Sequence, residues 1–243
     1  MILKQWIGFM LLCISLTTLK AQVGSIFLSY STLELEVDDQ RVNIVPGSIK
    51  KSTSLPGYSA GWLYNQVIRH KSVNFETGLI FSKMGGEWSY RLPDEQAYIQ
   101  NISIHQIQVP VNFRFNLFHA DGVGKSGGLP IYLLGGFRGG VSILGEETIT
   151  QNSSTKTEKI NFGNGPSQYR IYDIGVRGGV ALKLHSRWSI EAIVYRGLQD
   201  FINLDEKSAF NKSLEFRLRF HFGGMDGERR YFFHQFFRLD SFW

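Results

Sequence analysis

Nine consecutive residues near the C-terminal end of the chain alternate without a break. In Leu214-Glu-Phe-Arg-Leu-Arg-Phe-His-Phe222, positions 214, 216, 218, 220 and 222 are Leu, Phe, Leu, Phe and Phe, and those between are Glu, Arg, Arg and His. Successive side chains of a β-strand point to opposite faces, so this stretch has one apolar and one charged face; a helix would mix the two sets on every side. The same period of two recurs upstream. Val73, Phe75, Thr77, Leu79 and Phe81 share one parity, as do Ile107, Val109, Val111, Phe113, Phe115 and Leu117. Ile131–Val141 alternates, as do Tyr172–Lys183 and Trp188–Tyr195. Two less regular segments, 23–37 and 57–68, bring the expected strands to eight. In the first of these the apolar parity changes from Ile26, Leu28 and Tyr30 to Leu33, Leu35 and Val37, which predicts a β-bulge near Ser31-Thr32 and a strand that continues beyond a membrane.

The connections are asymmetric. Those around Arg69–Ser72 and His185–Arg187 are very short, and 119–129 (HADGVGKSGGL) is Gly-rich and turn-like. Four others, 38–56, 83–101, 143–168 and 199–213, are long and polar. Short turns on one side and long loops on the other is the arrangement of outer-membrane barrels. A local repeat, Gly136-Phe-Arg-Gly-Gly-Val141 and Gly175-Val-Arg-Gly-Gly-Val180, falls on neighbouring expected strands, where glycine permits sharp curvature or makes room for an aromatic ring. It is no phosphate loop, because neither run opens a helix or carries Gly-Lys-Ser/Thr.

The N-terminal segment sets the expected compartment. Lys4 precedes an apolar stretch from Trp6 to Leu16, and Ala21-Gln22 is a plausible cleavage point, so 1–21 reads as a signal peptide. Its apolar core is too short for a helix that needs about 20 residues to span the hydrocarbon. Cys13, the single cysteine, lies within this leader and would leave with it, excluding disulfides, cysteine zinc sites and thiol catalysis from the mature chain. Lys4 and Lys20 leave too, taking the net charge from +5 to +3, too mild to point to nucleic acid. Abundant glycine (26), scarce proline (6) and 14% aromatic residues suit strands and turns.

Alternation alone also fits a soluble, lipocalin-like carrier with an apolar interior. The polar faces decide for the membrane. They carry Glu76, Arg114, Arg138, Asp173, Arg177, Glu191, Glu215, Arg217 and Arg219, a mixture of both signs that can pair inside a narrow lumen. An Arg or Lys facing lipid at the bilayer midplane costs about 2–4 kcal/mol, so these side chains are expected to point inward. Phe118, Trp188 and Phe222 fall at the expected periplasmic strand ends, where an interfacial aromatic girdle belongs. Arg196 has the parity of the lipid-facing set and is expected to snorkel to headgroups or to be turned inward by a bulge. The fold expected is all-β, a transmembrane antiparallel up-and-down barrel of about eight strands over 22–223, with a closed polar lumen.

The chain resembles the outer-membrane β-barrel families of Bacteroidota, in particular the PorT-like group. The matching elements are Ala21-Gln22, Phe75-Glu-Thr-Gly-Leu-Ile-Phe-Ser-Lys-Met-Gly85, Ile107-Gln-Val-Pro-Val111, Asp173-Ile-Gly-Val-Arg-Gly-Gly179 and Tyr195-Arg-Gly-Leu-Gln-Asp200, spread over 22–223. The resemblance implies residence in the cell outer membrane with lipid as a partner and, from some members, an accessory role in protein secretion with other envelope proteins as partners. Such barrels normally end on the final strand's aromatic residue, here Phe222. This chain adds residues 224–243, in which Phe232, Phe236, Leu239 and Trp243 follow helical spacing beside Phe233 and Phe237, the pattern of a periplasmic interfacial helix; a disordered or partner-bound tail is the alternative.

Chemistry is sparse. No His-Glu-x-x-His element or Gly-x-Ser-x-Gly elbow occurs. His70, His119, His185 and His221 sit at expected turns or strand ends, where a solvated or interfacial imidazole is expected. Ser103 with His105, at the outer end of a strand, is the one arrangement that a lipid-modifying barrel enzyme could use. An open porin is disfavoured, since eight strands leave an interior filled by side chains. The reading is therefore a non-enzymatic structural or interaction protein without cofactor or metal. A lipid-modifying enzyme of the outer leaflet is the alternative, and a secreted soluble carrier stands third.

Overall fold

Ten antiparallel strands form the computed structural model: β1 (Val23–Val37), β2 (Ile49–Thr53), β3 (Leu55–Arg69), β4 (Val73–Arg91), β5 (Ala97–Asn116), β6 (Ile131–Gln151), β7 (Ser154–Lys159), β8 (Tyr172–His185), β9 (Trp188–Gly197) and β10 (Ala209–Phe222). It describes residues 23–37, 49–69, 73–91, 97–117, 131–151, 154–163, 165, 168–185, 187–200 and 209–222. The leader, Phe118 and the aromatic tail, with Phe232, Phe233, Phe236, Phe237 and Trp243, lie outside the described residues.

Eight of the strands close a barrel in the order β1–β3–β4–β5–β6–β8–β9–β10. Closure is made by β10 returning to β1, from Gly24 opposite Phe222 to Val37 opposite Ala209. β2 continues the wall beside β4, and β7 folds back on β6. The first and last strands thus start and finish at the short-turn end. The opposite end is taller than the sequence suggested. β4 and β5 pair from Val73 opposite Phe115 up to Arg91 opposite Ala97, so most of 83–101, expected as a loop, is hairpin. The expected loops 38–56 and 143–168 likewise contain β2, the upper part of β6, and β7.

The physical reason is an exchange of environments along single strands. On β1 the odd side chains point inward throughout: Ser25, Phe27, Ser31, Leu33 and Leu35 are buried, whereas Ile26, Leu28 and Tyr30 are exposed. The register with β3 and β10 is unbroken through Ser31 and Thr32, so the expected bulge is absent. What changes is the medium. Lower down the apolar residues face outward to hydrocarbon and the polar ones inward; higher up they face inward to an apolar core and the polar ones meet water. β4 makes the same exchange between Phe81, outside, and Met84 and Trp88, inside; β5 makes it between Ile107, outside, and Ile102 and Ile104, inside. Leu35, Trp88, Ile102, Ile104, Ile160, Tyr169 and Ala209 form one buried cluster over the upper mouth, with Phe162 packed against it. The residues after β7 supply part of this cap, bridged at Phe162 and Tyr169.

Below the exchange level the outer surface is a band of exposed large apolar residues. On β10 it runs from Leu214 to Phe222; nine residues at about 3.4 Å each, tilted by about 40°, span roughly 20 Å, close to the ~25 Å apolar band of membrane barrels. Close strand approach is concentrated at glycine. A Cβ on Gly175 would lie 2.5 Å from the Tyr195 ring, and Gly85 adopts φ +139°, a conformation that L side chains rarely take, with a Cβ position 2.0 Å from the Ile102 carbonyl oxygen.

Single-cysteine variants carrying a fluorophore test the exchange. Labels at positions 28 and 30 should be quenched by brominated lipid and a label at 34 by an aqueous quencher, with 33 and 35 protected from both; a bulge would place 33 and 35 outside. Leu28→Arg should cost about 2–4 kcal/mol in urea-dependent folding into vesicles.

Candidate functional site

The inward faces of the strands fill the lumen from bottom to top, and the most polar layer is a salt-bridge network. β4 contributes Glu76, β5 Arg114, β9 Glu191, and β10 Glu215, Arg217 and Arg219, each almost fully buried. Arg114 Nη1 donates to Glu76 Oε2 at 3.0 Å and to Glu191 Oε1 at 2.7 Å. Arg219 Nη1 donates to the same carboxylates, at 3.1 Å to Glu191 Oε1 and also to Glu76. Arg217 bridges Glu191 (3.4 Å) and Glu215 (3.0 Å). Three carboxylates thus face three guanidiniums in an uninterrupted chain. Buried charges of this kind need both their partners and further hydrogen bonds. Asn112 Nδ2 donates to Glu76 at 2.8 Å, Ser59 Oγ to Glu215 at 2.6 Å, and Arg219 Nε to Ser25 Oγ at 2.8 Å. Asn65, in the amide orientation that matches donors to acceptors, donates to Glu76 and accepts from Arg219. The Arg217 guanidinium also lies 3.7 Å from the Phe27 ring centroid.

Below this layer Ser189 Oγ and His221 Nε2 are 2.9 Å apart, both fully buried. His221 is therefore a lumen residue rather than the solvated or interfacial one expected. Apolar groups share the interior: Phe27 with Leu63 and Ile80, and Tyr132 with Leu134, Ala181 and Ile193.

Above the network the remaining expected lumen charges, Arg138, Asp173 and Arg177, are buried but joined differently. Asp173 accepts from Asn211 Nδ2 at 3.2 Å. Arg138 lies 3.5 Å from the Tyr195 ring centroid and directs Nη2 to the Met84 sulfur at 3.6 Å. Leu33, Met84 and Tyr195 pack as a lid on this layer, beneath the apolar cap. The lumen thus holds a plug of charged side chains beneath an apolar stopper. Glu76→Gln should destabilise the barrel by about 3–5 kcal/mol, because Arg114 and Arg219 would remain buried with one acceptor fewer. The loss should shrink in the double variant Glu76→Gln/Arg219→Gln, read by urea-dependent refolding.

On the outer wall, Trp188 and Phe222 are exposed at the short-turn end, each packed edge-on to Phe220 at 4.9 and 5.2 Å. Trp62 and Tyr64 lie 4.2 Å apart with their rings tilted, on β3 across β1 from β10 at the same end. At the other edge of the band, Tyr58, Phe81 and His105 stand together, with His105 stacked on Phe81 at 5.7 Å and 11°. Arg196 points outward and pairs with Glu36 at 3.1 Å, just above the band, where its charge reaches water and headgroups. Ser103 and His105 both face outward on β5, and no hydrogen bond joins them. Nor do any three His, Cys, Asp or Glu side chains among the described residues converge on a metal position.

The family model for the outer membrane protein beta-barrel domain matches residues 28–203, which carry seven of the eight wall strands. The chain belongs to that family. Its barrel is accordingly an outer-membrane barrel, and its exposed apolar band faces lipid. No curated protein matches the chain. Among solved structures it is similar to Ail, the attachment invasion locus protein of Yersinia pestis in complex with the heparin analogue sucrose octasulfate, at 11% identity, covering 82% of this chain and 98% of that one, with a TM-score of 0.40. Neisserial surface protein A is similar at 12% identity over 82% and 97%, with a TM-score of 0.43. OprG from Pseudomonas aeruginosa is similar at 10% over 84% and 97%, with a TM-score of 0.39.

Two groups of lumen and rim residues escaped the sequence reading. Ser25, Ser59, Asn65 and Asn112 complete the charged network, yet small polar residues on a polar face carry no signal of which will bond. Trp62, Tyr64 and Phe220 extend the aromatic edge; their parity and position near strand ends were the available clue.

Proposed function

We propose that this outer-membrane barrel is a non-enzymatic structural or accessory component of an envelope or protein-secretion assembly of the PorT-like kind, exported through its N-terminal leader. The observation that carries this reading is the closed lumen. The charged network and the apolar stopper occupy the lumen with side chains bonded or packed against one another, which directs interaction to the rims and the outer wall. The chain's own resemblance to PorT-like barrels of Bacteroidota supports the secretion assignment. Both ends of the barrel wall meet at the short-turn end, which faces the periplasm in barrels of this class. Residues 224–243 then enter the periplasm as an aromatic segment able to engage the membrane surface or a partner protein. The lipid-modifying alternative loses support from His105, whose ring is stacked on Phe81 and is not bonded to Ser103.

Purification of the full chain from outer membranes in mild detergent should bring down a defined set of envelope proteins. That set should be lost on deletion of 224–243, with heat-modifiable gel mobility retained. Recovery of the barrel alone from cells would overturn the assembly reading. In planar bilayers the purified barrel should give no stable single-channel conductance.

A further inference from the structure

The lumen holds more positive charge than its own carboxylates balance. Among the described residues four acidic side chains are buried inside, Glu76, Asp173, Glu191 and Glu215, against six basic ones, Arg114, Arg138, Arg177, Arg217, Arg219 and Lys183. The central network is neutral within itself, three against three. Lys183 lies toward the short-turn end of β8 and has an interaction of its own. The excess is therefore concentrated in the layer above the network, where Arg138 and Arg177 face Glu215 from above and the layer's own carboxylate is Asp173.

That carboxylate does not satisfy them. It takes its hydrogen bond from Asn211, and neither arginine comes within 4.0 Å of it as an ion pair. Arg138 has the face of Tyr195 and the sulfur of Met84. Arg177, only 6% exposed, has neither. Both of its terminal nitrogens are without a hydrogen-bond partner among the described residues, and so are Nε of Arg138 and Nε of Arg217. Removing a guanidinium from water without supplying acceptors is strongly unfavourable, and Arg cannot shed its proton to escape. Gly136 pairs with Arg177 across β6, and Gly175 and Gly179 flank it on the same face of β8, so the nearest positions on its own wall supply no side-chain acceptor. The layer is bounded below by the salt-bridge network and above by Leu33, Met84 and Tyr195.

We infer that this layer is a binding site for a small monovalent inorganic anion of the chloride class, held by the terminal nitrogens of Arg177 in the field of Arg138 and Arg217. One negative charge brings Arg138, Arg177 and Asp173 to neutrality, which is why a monovalent ion is favoured over phosphate or sulfate. A spherical ion accepts from several N–H groups without demanding a fixed geometry, which suits donors converging from different strands. Because the layer is enclosed, the ion is part of the folded interior and its presence should be read as stability.

The test uses the full chain refolded into a chloride-free non-ionic detergent, with sodium gluconate replaced stepwise by sodium chloride at constant ionic strength. The heat-unfolding midpoint should rise with chloride and level off, by roughly 5–10 °C at saturation. The rise should be lost in Arg177→Gln. No rise in the unsubstituted protein, an equal rise in Arg177→Gln, or a rise with phosphate alone would each overturn the inference. Crystals of the unsubstituted protein grown from sodium bromide give a reading independent of how the variant folds. An anomalous peak within hydrogen-bonding reach of Arg177 Nη1 or Nη2 is expected, and its absence there would equally overturn the site.

Discussion

Hydrogen-bond closure between β1 and β10 is the constraint on which the rest of this structure depends. A strand in hydrocarbon cannot leave its peptide groups unpaired, so a sheet that crosses a membrane must return upon itself. Here the return is made over the full length of both strands, from Gly24 opposite Phe222 to Val37 opposite Ala209. Closing eight strands fixes a narrow bore, into which the inward side chains are crowded. Once the bore is fixed, every inward side chain must find its partners among the few others that reach the same space. The three-against-three network of Glu76, Glu191 and Glu215 with Arg114, Arg217 and Arg219 is the outcome of that enclosure.

The same closed wall serves two solvents in succession. On β1 the wall continues above the membrane without a change of register, so a residue's direction is set by its parity along the whole strand, while the medium outside changes from lipid to water; β6 instead takes an extra residue against β5 between Ser142 and Leu144. Leu28 and Leu35 lie on the same strand and both sit in apolar surroundings, one outside and one inside. The hydrophobic effect acts on each in the same sense; only the side on which water is found differs. The upper apolar cluster then acts as a stopper on a polar lumen, the reverse of a soluble barrel, in which the apolar interior runs the full height.

This arrangement bears on function by restriction. Charges that would serve catalysis or conduction in an open site are here bonded to one another behind Leu33, Met84, Trp88 and their neighbours. What remains available to other molecules is the outer wall, with its aromatic edges and the Arg196–Glu36 pair, and the rims. The excess of arginine above the network is the exception, since its donors are enclosed and yet unmet within the chain itself.

The sequence by itself determined the class of fold and the face each strand presents to lipid, because a period of two is a local property that survives without knowledge of neighbours. Leu214 to Phe222 declared one strand, and five segments with the same rhythm, with two less regular ones, declared the wall. Glu76, Arg114, Glu191 and Arg217 were legible as inward residues for the same reason: their parity opposed that of the lipid-facing set. The tertiary structure alone decided the height of the barrel, since Met84 and Trp88 fell in the expected loop 83–101 until pairing placed them on one inward face with Ile102 and Ile104. It also decided which charges meet. Arg114 and Arg177 look alike in sequence, each an arginine on the polar face of a strand, yet Arg114 reaches two carboxylates and Arg177 reaches none. Salt bridges depend on distances of a few ångströms between side chains from different strands, and those distances exist only after register and closure have been set.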